Sequence, residues 1–158
     1  MILPEPSPRK KPSPLQRESN ERFRAASQYA SKQINDPESK AEYEAGIRPN
    51  KHTAYNVALT DYLNPPKIVY INTKKYSGKV GDLILVKAID DFKVVSVMVQ
   101  IFIAGKPIEK GTATPYPRKP KLWRYFATME NPDLLATTVR AIARDKPRNT
   151  GVMECPLH

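Results

Sequence analysis

Few residues in this chain have the type and spacing that enzyme chemistry needs. His52 precedes a predicted helix and His158 is the last residue; neither belongs to a spaced ligand set, whereas zinc takes about four ligands. Cys155 is interpreted as a small, buried or half-buried apolar residue near the last strand. Asp90-Asp91 would supply half of a calcium site, but paired aspartates are ordinary turn residues, which is the interpretation favoured. The sequence has neither a phosphate-binding glycine loop nor a nucleophile motif, so we predict no enzyme activity, no metal and no cofactor.

Polyanion binding is a second chemistry that the sequence favours, because cations alternate with aromatic residues over 116–125 and more cations follow over 140–148. Cations neutralise phosphates, and aromatic rings stack on bases. However, the strand alternation places Trp123 and Tyr125 in the core, which leaves a general polyanion patch. The candidate polyanion-binding residues are Arg118, Lys119, Lys121, Arg144, Lys146 and Arg148.

The net charge of +10 lies mainly in the second half of the chain. Residues 1–65 carry ten Lys/Arg against eight Asp/Glu, and the remaining residues carry sixteen against eight. A net positive charge of this size favours binding to anionic partners. A DNA-reading helix in the first half is disfavoured, because the third predicted helix contains no Lys or Arg and one Asp.

The chain has no apolar run of the roughly 20 residues that a membrane-spanning helix needs. Its first residues, rich in proline, form no signal-peptide hydrophobic region. A single cysteine gives no internal disulfide and no sign of an oxidising compartment. We therefore predict a cytoplasmic protein without a membrane partner.

The first 65 residues predict an arm and then a helical region. Residues 1–14 hold five prolines and a basic triplet, which is typical of an extended arm. Over 15–65, apolar residues recur at helical spacing, and Asp36 and Thr53 are suited to cap the second and third helices. Asn64 and the two prolines after it end the helical region.

Beyond residue 65 the hydrophobic period changes from 3.6 to 2, which predicts a β-sandwich over 66–158. Seven strands are predicted at 67–73, 82–90, 94–104, 107–114, 122–128, 137–145 and 151–155. Alternation places Trp123 in the core between the two sheets. The predicted fold class is therefore α+β, with a short helical region followed by a seven-stranded antiparallel sandwich.

Three motifs in this half resemble bacterial immunoglobulin-like (fibronectin III-like) domains. They are Gly81-Asp82 before a strand, the aromatic strand 123–127 ending in Ala127, and the alternating strand 139–145 leading into a turn with Asn149. Arg148 replaces the glycine usual before that asparagine. The resemblance covers residues 66–155 and implies an immunoglobulin-like sandwich without implying a ligand. Together with the helical segment, the chain also resembles uncharacterised bacterial proteins, which imply no activity.

The predicted outer face of one sheet is apolar where a solvated face would be polar. The residues of this predicted interaction surface are Leu83, Leu85, Ile89, Leu122 and Phe126. An exposed patch of this kind marks an interaction site unless it is covered. We expect either the helical region to cover it as a lid or a second subunit to bind it; the remaining alternative is that these are scattered surface apolar residues.

These features predict a non-enzymatic binding or structural module that engages a protein partner, or a second copy of itself, through sheet and helix surfaces. The alternative is a nucleic-acid or polyanion binder that uses the basic loops. A small hydrolase would need a polar cluster that one sequence does not identify.

Overall fold

The computed structural model describes residues 2–157, so His158 lies outside the described residues. It confirms the α+β class: three helices precede two four-stranded antiparallel sheets. The helices are α1 (Pro14–Asn35), α2 (Pro37–Glu44) and α3 (Ala54–Leu63). The strands are β1 (Lys67–Asn72), β2 (Leu83–Ile89), β3 (Val94–Ile103), β4 (Lys106–Thr112), β5 (Thr114–Tyr116), β6 (Lys119–Phe126), β7 (Thr137–Asp145) and β8 (Thr150–Pro156).

Local side chains fix where the three helices begin. Ser13 and Gln16 form a capping box before α1, in which each side chain bonds the other residue's backbone N–H. The Asp36 carboxylate accepts from the backbone N–H of Glu38, and Pro37 takes the first position of α2. The Thr53 hydroxyl caps α3. The predicted caps at Asp36 and Thr53 are confirmed.

The two sheets share one hydrophobic core. The first sheet has the strand order β1-β2-β6-β5, and the second has the order β4-β3-β7-β8. Ile84, Val86 and Trp123 of the first sheet belong to the same buried cluster as Val99 and Val139 of the second. Trp123 is 6% exposed, which confirms the prediction that it lies in the core.

The structure has eight strands in its described part, so the predicted count of seven is wrong. The additional strand is β5, which pairs with β6 across the two-residue turn Pro117-Arg118. Arg118 has a positive φ of 61°. Proline followed by a residue of positive φ is the pattern of a type II turn, so the segment between the predicted strands 107–114 and 122–128 is a hairpin with a strand of its own.

The turn after β7 keeps a tight geometry although Arg148 stands in place of glycine. Arg148 itself adopts a left-handed φ of 74°. The Asp145 carboxylate accepts from the backbone N–H of Asn149 at 2.7 Å, and the Arg148 N–H donates to the Asp145 carbonyl at 3.1 Å. The Asn149 amide also donates to the carbonyl of Tyr62 at 2.9 Å, which ties the end of α3 to the sandwich.

The helices contact one end of the sandwich. We call this contact region, formed by α2, α3, the turn between β2 and β3 and the turn after β7, the joint. Phe92, in the turn between β2 and β3, packs against the helical core beside Val57, with its ring centroid 4.7 Å from that of Tyr43. A Cβ added at Gly46 would lie 2.8 Å from the Phe92 ring, so glycine permits this close approach. The ion pairs Lys51–Asp91 and Lys146–Glu42 also cross the joint.

This arrangement contradicts the prediction that the helical region is a lid over the apolar outer face. The helical core contains Phe92 from the sandwich but none of the five predicted surface residues. Phe126 on that face is 50% exposed. The helices find their apolar partner at the turn between β2 and β3, because Phe92 completes a core of tyrosines and alanines that would otherwise face water.

Candidate functional site

The outer face of the first sheet carries the five residues predicted as an interaction surface. On β2, Leu83, Leu85 and Ile89 are partly exposed and alternate with residues that are buried in the core. Leu83 pairs with Phe126 across the ladder to β6. Leu122 pairs with a lysine of β2 on the same face. The structure thus brings these apolar side chains together on one surface.

The outer face of the second sheet is polar at its centre. Arg140 on β7 lies between Gln100 on β3 and Glu154 on β8 in the ladder. Its Nε and one terminal nitrogen donate to the Glu154 carboxylate, at 2.8 and 2.6 Å. Beside this polar row, Met98, Ile142 and Val152 pair across the same three strands, so the second sheet also carries apolar side chains on its outer face, but with an ion pair at its centre.

A shallow groove of about 390 Å³ runs along the apolar outer face at the end near the β5–β6 hairpin. Three ammonium groups border it, and one of them, Lys87 Nζ, lies 6.0 Å from the centroid of the Tyr70 ring. The lining residues are Tyr70, Lys87, Lys119, Pro120, Lys121 and Leu122. Apolar walls bordered by cations suit a ligand that carries both apolar side chains and carboxylates.

Arg124 adds a positioned cation to the same sheet. Its guanidinium carbon lies 5.4 Å from the Tyr116 ring centroid and 5.9 Å from that of Phe126. The Nζ atom of Lys119 also lies 5.4 Å from the Tyr116 ring centroid. These distances are typical of cation–π contacts, which hold the cations in place beside the apolar residues.

The six predicted polyanion-binding residues fall into two groups on the surface. Arg118, Lys119 and Lys121 lie on the β5–β6 hairpin, while Arg144, Lys146 and Arg148 lie at the end of β7 and in the following turn. Lys93 lines a cleft of about 520 Å³ together with Lys121. It also lines a second cleft, of about 330 Å³, with the three residues of the other group. Lys93 therefore links the two groups, although its position in a turn of mixed charge gives no sign of this role in the sequence.

Lys146 differs from the other five because it serves the joint. Its Nζ lies 3.3 Å from a Glu42 carboxylate oxygen and 5.6 Å from the Tyr43 ring centroid. A lysine in these contacts connects α2 to the sandwich and is less available to a phosphate than the exposed Arg144 and Arg148.

Three carboxylates meet at the joint: Asp90, which the sequence offered as part of a calcium site but which was interpreted as a turn residue, and two that no sequence pattern singled out. Asp61 on α3, Asp90 after β2 and Asp145 at the end of β7 each contribute one oxygen to a group whose members lie within 4.8 Å of one another. We call these residues the carboxylate cluster. They are far apart in the sequence, and α3 has no acidic pattern around Asp61 that would have pointed to such a site.

The buried surroundings of the carboxylate cluster make ionisation of its carboxyl groups energetically unfavourable. Burial raises the pKa of Asp61 to about 8, although the Tyr43 hydroxyl donates to its carboxylate at 2.7 Å. Burial also raises the pKa of Asp145 to about 6. Tyr43 in turn shares a hydrogen bond of 2.6 Å with Tyr29, whose pKa is raised to about 12, mainly by burial.

Neither a protein-family model nor a curated protein matches the chain. None of the helices within residues 2–157 combines the length and the apolar character needed to cross a bilayer.

Proposed function

We propose that this chain is a non-enzymatic binding module, and that the apolar outer face of its first sheet binds an acidic protein segment that also carries apolar side chains. The supporting observation is the combination of partly exposed leucines with the cations of the groove and Arg124 on one surface. A second copy of the chain would present like charges to this face, which favours a different, acidic partner. We further propose a cytoplasmic location, in keeping with the single cysteine.

The strand order supports an immunoglobulin-like interpretation of the sandwich. In immunoglobulin constant domains, strands A, B, E and D form one sheet and C, F and G form the other. The orders β1-β2-β6-β5 and β3-β7-β8 follow this arrangement, with β4 added beside β3. The chain departs from antibody domains in two respects: Trp123 lies on β6, the equivalent of strand E, and a single cysteine replaces the disulfide pair.

A selection from a random peptide library displayed on phage tests the chemistry proposed for the partner. The full chain should enrich peptides in which Asp or Glu alternates with large apolar residues. Such peptides would cover the leucines with apolar side chains and pair the ammonium groups with carboxylates. Enrichment of basic peptides, or no enrichment over an unrelated sandwich protein, would contradict the proposal.

The double variant Leu85→Ser/Phe126→Ser should weaken binding of a selected peptide at least tenfold, about 1.4 kcal/mol, in isothermal titration calorimetry. The substitutions remove apolar contact area from the middle of β2 and from the end of β6, on the face that the peptide is proposed to cover. The matched control is Met98→Ser/Val152→Ser, which alters exposed apolar residues on the second sheet and should keep the affinity. Equal affinities for the two double variants would show that the peptide binds elsewhere.

Polyanion binding is a second candidate function, favoured by the position of Lys93 between the two basic groups. With Lys121 on one side and Arg144 and Arg148 on the other, the two clefts offer cations to successive phosphates. The buried position of Trp123 removes the largest ring from base stacking, so this function would rest on charge.

Salt dependence tests the second candidate. If the clefts bind single-stranded DNA, the logarithm of the affinity should fall with the logarithm of salt concentration, with a slope of about −0.7 per phosphate contact. The variant Lys93→Glu/Arg148→Glu should reduce this slope by about 1 to 2, whereas Lys74→Glu/Lys75→Glu, in a different loop, should leave it unchanged. Absence of binding at low salt, by fluorescence anisotropy, would remove this candidate.

A further inference from the structure

Each residue of the carboxylate cluster has its own hydrogen-bond partners, and these leave oxygens free. One oxygen of Asp61 accepts from Tyr43, and one oxygen of Asp90 accepts from the backbone N–H groups of Phe92 and Lys93. The two oxygens of Asp145 accept from the backbone and side-chain nitrogens of Asn149.

The remaining Oδ1 atoms of Asp61 and Asp90 are buried and have no hydrogen-bond partner in the described part of the chain. Asp61 is 0% exposed, so water does not satisfy its free oxygen from bulk solvent. A buried carboxylate oxygen without a partner is costly, and carboxylates held together raise that cost.

Basic side chains line the same clefts as Asp90 and Asp145, but within residues 2–157 none forms a salt bridge with the cluster. Lys51 pairs with Asp91 at 2.5 Å, and Lys146 pairs with Glu42. Among residues 2–157, the salt bridges within 4.0 Å involve other carboxylates than these three.

We propose that Asp61, Asp90 and Asp145 bind a hard divalent cation, calcium in particular, at the joint between the helices and the sandwich. Calcium binds oxygens at about 2.3 to 2.6 Å, so two oxygens on opposite sides of one ion lie about 5 Å apart. The three oxygens lie within 4.8 Å of one another and therefore fit around one calcium ion. Magnesium, with bonds of about 2.1 Å, demands a stricter octahedral arrangement and a tighter spacing of oxygens than calcium does.

The clefts at the joint give the site a route to solvent. Asp90 lines the cleft of about 520 Å³ and Asp145 lines the cleft of about 330 Å³, whereas the buried Asp61 lines neither, so an ion would enter from the side of Asp90 and Asp145, past the basic side chains that border both clefts. Water from these clefts would complete the six to eight oxygens that calcium takes. Because the three ligands lie on α3, in the turn after β2 and at the end of β7, a bound ion would hold the helices against the sandwich, and its binding would add to the stability of the fold.

Thermal unfolding of the full chain after chelator treatment tests this site, with calcium, magnesium and sodium chlorides compared at equal ionic strength. At about 100 times the dissociation constant, calcium should raise the melting temperature on the order of 5 to 10 °C, and more than magnesium does. The rise should disappear in Asp61→Asn and Asp90→Asn but persist in Asp82→Asn, whose carboxylate binds a loop away from the cluster.

Terbium luminescence gives a readout that does not depend on stability. Terbium takes calcium sites, and the Tyr43 hydroxyl, 2.7 Å from Asp61 Oδ2, is close enough to sensitise its emission. Emission should appear in the wild type and in Asp82→Asn, calcium should quench it by competition, and Asp61→Asn should lack it. The site is overturned if the wild type shows neither the calcium-specific rise nor sensitised emission, or if both signals survive in Asp61→Asn and Asp90→Asn. The site is also overturned if Asp61→Asn is more stable than the wild type both with and without calcium. That result would show that protonation, and not a bound cation, relieves the repulsion among the three carboxylates.

Discussion

Trp123→Ala should lower the free energy of unfolding by about 3 to 5 kcal/mol, which is the cost of emptying a large buried site. Trp123 lies in the core that both sheets share, and its Nε1 has no hydrogen-bond partner among residues 2–157, so the loss comes from packing. A loss of this size is a large part of the roughly 5 to 15 kcal/mol that stabilises a domain. Urea unfolding followed by far-ultraviolet circular dichroism measures it, because the variant has no tryptophan to report by fluorescence.

The control for this variant is Tyr70→Ala on β1 of the same sheet. Tyr70 is 41% exposed, so its removal should change the stability by less than about 1 kcal/mol. If Trp123→Ala unfolds at the same urea concentration as the wild type, Trp123 is not a core residue, and the segment 116–125 regains a role in stacking on bases.

Phe92→Ala should destabilise the chain by about 2 to 3 kcal/mol, less than for a fully buried phenylalanine because its ring is half-buried. The ring joins the helical core at Tyr43 and Val57, so its loss should act mainly on the joint. Helices of 8 to 22 residues are marginal in water when their tertiary contacts are lost. Hydrogen exchange should therefore show faster exchange in α2 and α3, with β3 and β7 still protected.

Phe126→Ala is the matched control, because it removes the same side chain from the exposed outer face. It should leave both the stability and the exchange of α3 close to those of the wild type. Unchanged protection of α3 in Phe92→Ala would contradict the account of the joint. Equal loss of protection in β3 and β7 would show that helices and sandwich unfold as one unit.

Local signals in the sequence predicted most of the secondary structure. Alternation along β2 and β7 is strict, because each strand buries one face against the shared core and leaves the other toward solvent. The capping residues before α2 and α3 act within their own turn, so they could be identified without knowledge of the fold. The β5–β6 hairpin was missed because proline usually interrupts strands, whereas here Pro117 and Arg118 form the turn itself.

The joint depends on contacts between residues distant in the sequence, which local patterns do not reveal. Phe92 follows two aspartates in a turn, a position that predicts exposure, yet its ring enters the helical core. The three members of the carboxylate cluster lie on separate elements that only the tertiary fold brings together. The apolar outer face was predictable because strand alternation assigns each residue to a face, but the position of the helices relative to that face was not.

The most direct test of the proposed binding function is to map a selected acidic peptide on the full chain, labelled with ¹⁵N, by amide chemical-shift changes. We expect the largest changes on β2 and β6, around Leu85, Leu122 and Phe126, and we expect the Leu85→Ser/Phe126→Ser variant to lose them. Changes concentrated instead around Lys93, Arg144 and Arg148, or on the helices, would contradict the claim that the outer face of the first sheet is the binding surface.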